Sequence, residues 1–443
     1  MTMVPVVPFR HVIVIGGGIA GLLAARVVSG YSERVTVVER DYYPNAPNFR
    51  AGTPQARQVH TFLLRGQQII EALFPGFREK ILAAGACEHD FASETLYFYG
   101  ERCPQLAPGL CGWNASRMLV EWQIRHELKA FPVTIMEGCA VKGLLYEDHA
   151  VRGVKYQERG SAAAPIRELS GDLVIDTTGS SSAVLHWLEE IGYASPHETV
   201  VNPHIGYATR FYQRPANIDA WSLIAIQATQ QSRRAGALME VEGGRWMVLV
   251  AGSGKDYPPN DPEEYLEFAH SLPEQELYTR IKEATPLSHI YGYRPIGNRF
   301  RHFDRIKMPR GFVAMGDAVC SFNPIYGQGM TIAILESQAL ERCLAHWHRK
   351  KNGEHDFQRR IAKVLAAPWL LSTVADSSPE DRKTIRDKIA HWYVSGYVIP
   401  AIPKDKMVQR TFIEVLHMLK SPNALLTLSI IFRMFRLHLS GVR

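Results

Sequence analysis

The sequence is poor in the features that would send the chain to a membrane, a metal or a nucleic acid. Its six cysteines (Cys87, Cys103, Cys111, Cys139, Cys320 and Cys343) form no C-x-x-C pair and no metal-ligand spacing. A chain of 443 residues can bury cores without disulfides, so reduced thiols in a cytoplasmic setting are expected, with no metal site. The longest apolar stretch near the C-terminus, 424–432, is interrupted by Arg433 and Arg436, too soon to span a bilayer. The opening MTMVPVVPFR lacks a charged n-region and is read as running into a first strand rather than as a signal peptide. There is no internal repeat, no low-complexity tract and no nucleic-acid module. With 21% charged residues and net +6, the chain is globular and only mildly basic. Ser180 to Ser182 lack a G-x-S-x-G elbow, which excludes the usual serine hydrolase.

Glycine is present where chemistry would need it. His11 to Ile15 is an apolar run of strand length, followed by G-x-G-x-x-G at Gly16, Gly18 and Gly21 and a helical pattern to about Val28. A second strand, Arg34 to Val38, ends in Glu39, 23 residues past Gly16. These glycines serve a tight turn, close approach of backbone to a pyrophosphate, and helix–strand packing; Glu39 suits adenosine ribose hydroxyls.

A second signature, GDAVCSFNPIYGQGMTIA from Gly316 to Ala333, says which dinucleotide is expected. Asp317 follows a strand-like run and can accept a hydroxyl from a ribityl chain. Asn323-Pro324 makes a turn, and Gly327, Gln328, Gly329 and Met330 open a helix whose N–H groups and dipole suit a ring with partial negative charge. Together these residues form a flavin seat. Gly252-Ser253-Gly254 lacks a third glycine and a helix, so a separate nicotinamide domain is not expected.

Between the two signatures the periodicity changes. Thr134–Glu137, Ala140–Tyr146, Val151–Gln157 and Asp172–Asp176 read as strands of a β-meander returning to the nucleotide-binding sheet. Ser116 caps a helix from Arg117 to about Lys129. Ile205–Tyr212, Trp221–Ala228, Ala237–Val241 and Trp246–Ala251 read as an antiparallel sheet that would roof a flavin and hold substrate. From Asp356 the chain reads as helical.

The expected fold is therefore α/β: a doubly wound, Rossmann-like FAD-binding domain with a β-meander, an inserted antiparallel substrate sheet and a helical C-terminal region. The FAD-binding domain takes residues 1–90, 111–198 and 295–350, the substrate domain 91–110 and 199–294, and the helical region 351–443.

These motifs, with the Arg50 to His60 segment, Phe74-Pro75-Gly76 and SRMLVEWQIR at Ser116 to Arg125, resemble the FAD-dependent aromatic hydroxylase superfamily. Within it the chain looks most like polyether polyketide epoxidases and squalene-epoxidase-like enzymes. The resemblance covers nearly the whole chain. It implies FAD contacts at Gly16, Gly18, Gly21, Glu39, Arg40, Arg117, Val141 (backbone, to adenine), Gly316, Asp317, Pro324, Gly327, Gln328, Gly329 and Met330. Relatives usually carry a basic residue after the D-x-T-G turn, where this chain has Ser180-Ser181-Ser182.

The resemblance further implies that NAD(P)H visits transiently to reduce the flavin, that O2 adds to it, and that an alkene or electron-rich ring attacks the hydroperoxide formed. The expected substrate is a large lipophilic polyene polyketide or terpenoid. Epoxidation needs no acid–base dyad; His60 is the one candidate for a chemical role beside the flavin, or else a helix-start histidine with a satisfied contact. Two other readings keep the flavin: a prenyl-chain reductase of the geranylgeranyl reductase type, and a halogenase, which the absent W-x-W-x-I-P signature disfavours. A flavin-loaded scaffold without turnover is a fourth. The C-terminal run Ile430–Leu437 mixes apolar bulk with arginines, as a peripheral membrane anchor or a helix packed on the substrate domain would. The protein is expected to be a monomer or homodimer, cytoplasmic or membrane-peripheral.

Overall fold

The computed structural model describes residues 8–160, 164–216, 223–229, 231–295, 297–324, 327–350, 352–376 and 384–439. At its centre is a five-stranded parallel sheet in the order Phe312–Ala314, Leu173–Asp176, Phe9–Ile15, Ser32–Val38, Val133–Met136. Near-continuous apolar runs suit strands covered on both faces, and Val12, Ile13, Val14, Leu173 and Phe312 are fully buried. The register aligns Ile15 with Val38 and Asp176, and Asp176 with Ala314. The strands thus end together, and Gly16, Glu39, Thr177 and Gly316 share one carboxyl edge, the edge at which open α/β sheets bind ligands.

The β-meander is a three-stranded antiparallel sheet of Cys139–Glu147, Ala150–Glu158 and Ile166–Ser170. Its third strand was not anticipated: Ile166-Arg167-Glu168-Leu169-Ser170 is largely exposed and lacks apolar alternation.

The substrate sheet has seven strands: Tyr291–Tyr293, Gly206–Gln213, Arg245–Gly252, Arg234–Val241, Leu223–Ile226, Thr95–Phe98 and Glu101–Arg102. Of the run expected over Trp221–Ala228, residues 221 and 222 lie outside the described residues. Pairing is antiparallel except where Thr95–Phe98 joins Leu223–Ile226 in parallel. One face packs Trp246, Val248 and Tyr212 against the helices Pro262–His270 and Glu276–Ile281. The opposite face turns Phe211, Met239 and Met247 toward Ala56, Leu64 and Met118 of the flavin domain and Ile402 and Ile413 of the helical region.

A small sheet of Glu198–Val201, Asn298–Arg301 and Cys320–Ser321, invisible to periodicity because its strands are short, joins the two domains. Beyond Gly353 the described chain is helical: Gly353–Asp376, Ile385–Tyr393, Lys406–Leu416 and Leu428–Leu439 are the main helices. The mixed α/β architecture expected from the sequence is the one observed. Among the described residues, no helix is long and apolar enough to cross a membrane.

Candidate functional site

The first glycine turn is dictated by contact. Gly16 has φ +95°, and a Cβ there would lie 2.9 Å from Thr177 O. A Cβ on Gly21 would lie 1.9 Å from Gly16 O, so only glycine lets the helix Ile19–Val28 start against the strand. Thr177 Oγ1 closes the turn by donating to Ile15 O at 2.7 Å and Gly16 O at 2.9 Å.

The second signature meets the first. Gly316 has φ +68°, and a Cβ on it would come within 2.8 Å of Ala20 Cβ, at the start of the same helix. Its N–H donates to the Oε2 of Glu336, a fully buried residue on the helix Gln328–Leu344. Burial, with Asp317 nearby, pushes the Glu336 carboxyl up to about 8. Gly327, at φ +63°, is the N-cap of that helix, and its N–H closes onto Pro324 O at 2.9 Å.

A cleft of about 620 Å³ opens at this junction. Lining it are Gly16, Gly18, Glu39, Arg40, His60, Arg117, Val141, Gly316, Asp317, Pro324, Gly327, Gly329 and Met330. Two residues expected to hold cofactor lie outside that lining. Gly21 is buried behind the turn, with a purely steric part, and the buried Gln328 side chain accepts from Ser372 Oγ at 3.4 Å, tying its helix to Gly353–Asp376. Cys320 is also buried outside the lining.

Charge is organised around Arg50, whose importance no spacing announces. Its Nε donates to Glu121 Oε1 at 2.7 Å, its Nη1 to Asp41 Oδ2 at 3.0 Å, and Glu39 Oε1 stands 3.4 Å away. Burial opposes the guanidinium charge, but Glu121 and Glu39 outweigh it and hold Arg50 protonated more firmly than usual. Glu39 accepts Gly17 N–H at 2.6 Å on Oε2 and Asp41 N–H at 2.8 Å on Oε1, the oxygen that also faces Arg50, so Oε2 keeps acceptor capacity for a ribose.

Arg117 is aimed by its helix start. Ser116 Oγ accepts Leu119 N–H at 3.3 Å and donates to Glu242 Oε1 at 2.6 Å, while Ser116 N–H reaches Glu242 Oε2 at 2.9 Å. The substrate sheet thus fixes a helix of the flavin domain. Ser116 as cap and Arg117 as first residue are as expected; Glu242 is legible only in the fold. Asp317 is raised from the ordinary carboxylate range by burial, which Arg117 and Arg299 only partly offset.

His60 lines the cleft with Nδ1 2.8 Å from Gln58 O, so its backbone contact is satisfied, although it precedes the helix that starts at Leu64 rather than standing at its first turn. Burial, reinforced by Arg117, lowers its pKa to about 4, so the imidazole is neutral at pH 7.

At Ser180 to Ser182 the departure from the family pattern has a local account. Asp176, fully buried, accepts from Thr178 Oγ1 at 2.7 Å and Ser182 Oγ at 2.6 Å. Arg299, which lines the cleft, and Arg301 both donate to Ser180 O, so the cations here come from a later strand. Asn323, expected only as a turn residue, is a second hub. It accepts from Tyr207 OH, donates to Asp376 Oδ2 at 2.9 Å, and donates its N–H to Asn298 Oδ1 at 2.8 Å, linking substrate sheet, cleft and C-terminal helices.

These residues fit a dinucleotide flavin. A Cβ on Gly329 would meet nothing within 4 Å and one on Gly18 only Arg50 Nη2 at 3.9 Å, so both leave room for a ligand against bare backbone. Arg117 Nε is buried beside the cleft with no protein partner.

Fold and cleft together define an FAD-binding flavoprotein. A family model described as an FAD binding domain matches residues 10–359, and the chain belongs to that family, with FAD as cofactor. The protein Rv3254 of Mycobacterium tuberculosis is 31% identical over 384 residues, 84% of this chain and 81% of its own. Among solved structures, the flavin-dependent brominase Bmp2 is 15% identical, with a TM-score of 0.67 over 98% of this chain and 100% of its own. The myxobacterial chondrochloren halogenase CndH is 14% identical, with a TM-score of 0.65 over 93% of this chain and 96% of that one. A flavoprotein/dehydrogenase from Cytophaga hutchinsonii is 16% identical, with a TM-score of 0.62 over 92% of this chain and 99% of its own. At such identities the likeness is one of fold, and one fold carries several flavin chemistries.

Proposed function

We propose that this FAD-dependent oxidoreductase is a single-component monooxygenase that epoxidises or hydroxylates a large lipophilic substrate, taking electrons from NAD(P)H. The observation that supports this reading is the apolar core of the antiparallel sheet that stands behind the cleft, reached from it through Tyr293. Phe49, Phe211 and Tyr291 pack with ring centroids 5.7–6.5 Å apart, next to Met239 and Met247. Tyr291 is two residues along its strand from Tyr293, which lines the cleft, so both side chains stand on one sheet face. A packed core of this kind behind Tyr293 keeps that side of the cleft apolar and closed to water, which suits a lipophilic substrate.

When bound, FAD supplies the activation of O2, and the chain supplies position, dryness and charge. Arg117 brings a cation beside Asp317 and Tyr293 that favours negative charge developing at this end of the cleft. With Nδ1–H donated to Gln58 O, His60 keeps an unprotonated Nε2 as a proton acceptor, which a phenolic substrate would use and an alkene would not. The absent W-x-W-x-I-P signature argues against halogenation despite the halogenase folds.

The test supplies purified holoprotein with NADPH, labelled O2 and a panel of alkenes and arenes. One labelled oxygen atom per product molecule is expected. Unlabelled product formed without O2 would overturn the proposal in favour of a prenyl-chain reductase.

A further inference from the structure

The helix Leu428–Leu439 is apolar on two opposite sides. On its inner side Ile430 and Met434 are buried, and with Leu437 they pack on Val398, Val408, Val415 and Leu425. Helical spacing puts Leu428, Phe432, Phe435 and Leu439 on the opposite side, with Ile431 at its margin. These four are 86%, 68%, 54% and 70% exposed. Packing within the chain explains the inner stripe and leaves the outer one unaccounted for.

A second stripe lies beside it. Ile385, Ile389 and Trp392, spaced i, i+4 and i+7 on the helix Ile385–Tyr393, are all exposed. Trp392 stacks edge-on to Tyr397 at 4.8 Å between ring centroids, and Tyr397 lies 5.2 Å from His438. This chain of rings brings the Trp392 end of one stripe to the C-terminal end of the other.

The C-terminal helix and its sequence flanks are basic, whereas the neighbouring helix Ile385–Tyr393 is mixed in sequence, with Arg386, Asp387 and Lys388. Residues 415–443 hold Lys420, Arg433, Arg436 and Arg443 and no aspartate or glutamate. Arg433 is engaged with Asp405 at 2.9 Å, whereas Arg436 is exposed one position past Phe435.

We propose that this face docks on an anionic lipid bilayer, the helix Leu428–Leu439 lying in the interface plane. Leu428, Phe432, Phe435 and Leu439 would enter the acyl boundary, with Arg436 among the headgroups and Trp392 at the interfacial level. Among the described residues no helix can span the membrane, so the contact is peripheral. A second copy suits the face less well, because a twofold axis through it would bring the same basic strip against itself. The inference does not depend on which oxidation the cleft performs.

The test is co-sedimentation of the full-length holoprotein with vesicles of phosphatidylcholine alone or mixed with phosphatidylglycerol, at low and high salt. Binding is expected to the mixed vesicles and to weaken with salt. Phe432→Asp with Phe435→Asp should lower the bound fraction about tenfold or more, with FAD content and helicity unchanged. Arg436→Glu should weaken binding to phosphatidylglycerol vesicles selectively. Three results would overturn the proposal: no sedimentation with either vesicle, variants that bind like the parent, or a parent dimer made monomeric by the Phe432/Phe435 changes without any vesicle binding. The last would make the face a contact between copies.

Discussion

Glu336 is the most exacting point at which to test the geometry of the flavin seat. Its carboxyl is fully buried, takes the Gly316 N–H on one oxygen and has no partner on the other. With a folded pKa of about 8 against an ordinary 4.5, it keeps its proton in the folded state over a range where the unfolded chain has lost it. In that window the folded protein binds more protons than the unfolded one, so stability falls as pH rises. The contribution is fully present below about pH 4.5 and lost as pH climbs through about 8. At a tenfold change in the folding equilibrium per pH unit, the loss between about pH 5 and pH 8 is on the order of 3–4 kcal/mol. Glu336→Gln keeps an acceptor for Gly316 N–H and has nothing to titrate. Denaturant unfolding of parent and variant in parallel lets the other ionisable groups cancel, and the variant should gain by that amount on going from pH 5 to pH 8. Glu336→Ala strands a buried N–H and leaves a cavity, costing about 3–5 kcal/mol near pH 5, a deficit that shrinks toward pH 8 as the parent loses its own Glu336 contribution, and lowering bound FAD at both pH values. Parent and Gln variant curves that run parallel, or a Gln variant as damaged as the Ala one, would refute the reasoning.

Gly21→Ala places a Cβ 1.9 Å from Gly16 O, so the purified variant should lack the flavin absorbance of the parent and melt markedly lower. Arg50→Met leaves Glu39, Asp41 and Glu121 buried around an uncharged side chain; a loss of about 3–5 kcal/mol is expected, read by thermal melting at neutral pH. Burial and Arg117 keep the His60 imidazole neutral above about pH 4. Its replacement by Gln should therefore leave the shape of the kcat/KM–pH profile between about 5 and 8 unchanged with an alkene substrate.

Much of the cleft could be read before any coordinates. Gly16 and Gly316 declare themselves because a left-handed backbone and a close approach admit no other residue. Ser116 declares itself as a cap through a bond to a neighbour three residues on. The partnerships that sequence does not show, those of Arg50, Glu242, Asn323 and Glu336, act across 71, 126, 53 and 20 positions. A glutamate in an apolar helix looks the same whether it faces solvent or takes a buried N–H.

What the sequence alone determined is the set of local necessities: strands by apolar runs, helices by period and cap, and two glycine turns whose chemistry calls for a flavin. Each depends on contacts within a few residues, so each survives without knowledge of the rest. Tertiary structure decided what those pieces do together. It brought Gly316 against Ala20 and set Glu242 under Ser116. Cations over the serine turn came from Arg299 and Arg301, and only one of two apolar faces of Leu428–Leu439 turned inward. Burial is a property of the assembled chain, so which charge is paired and which apolar face stays bare becomes defined only when distant segments meet.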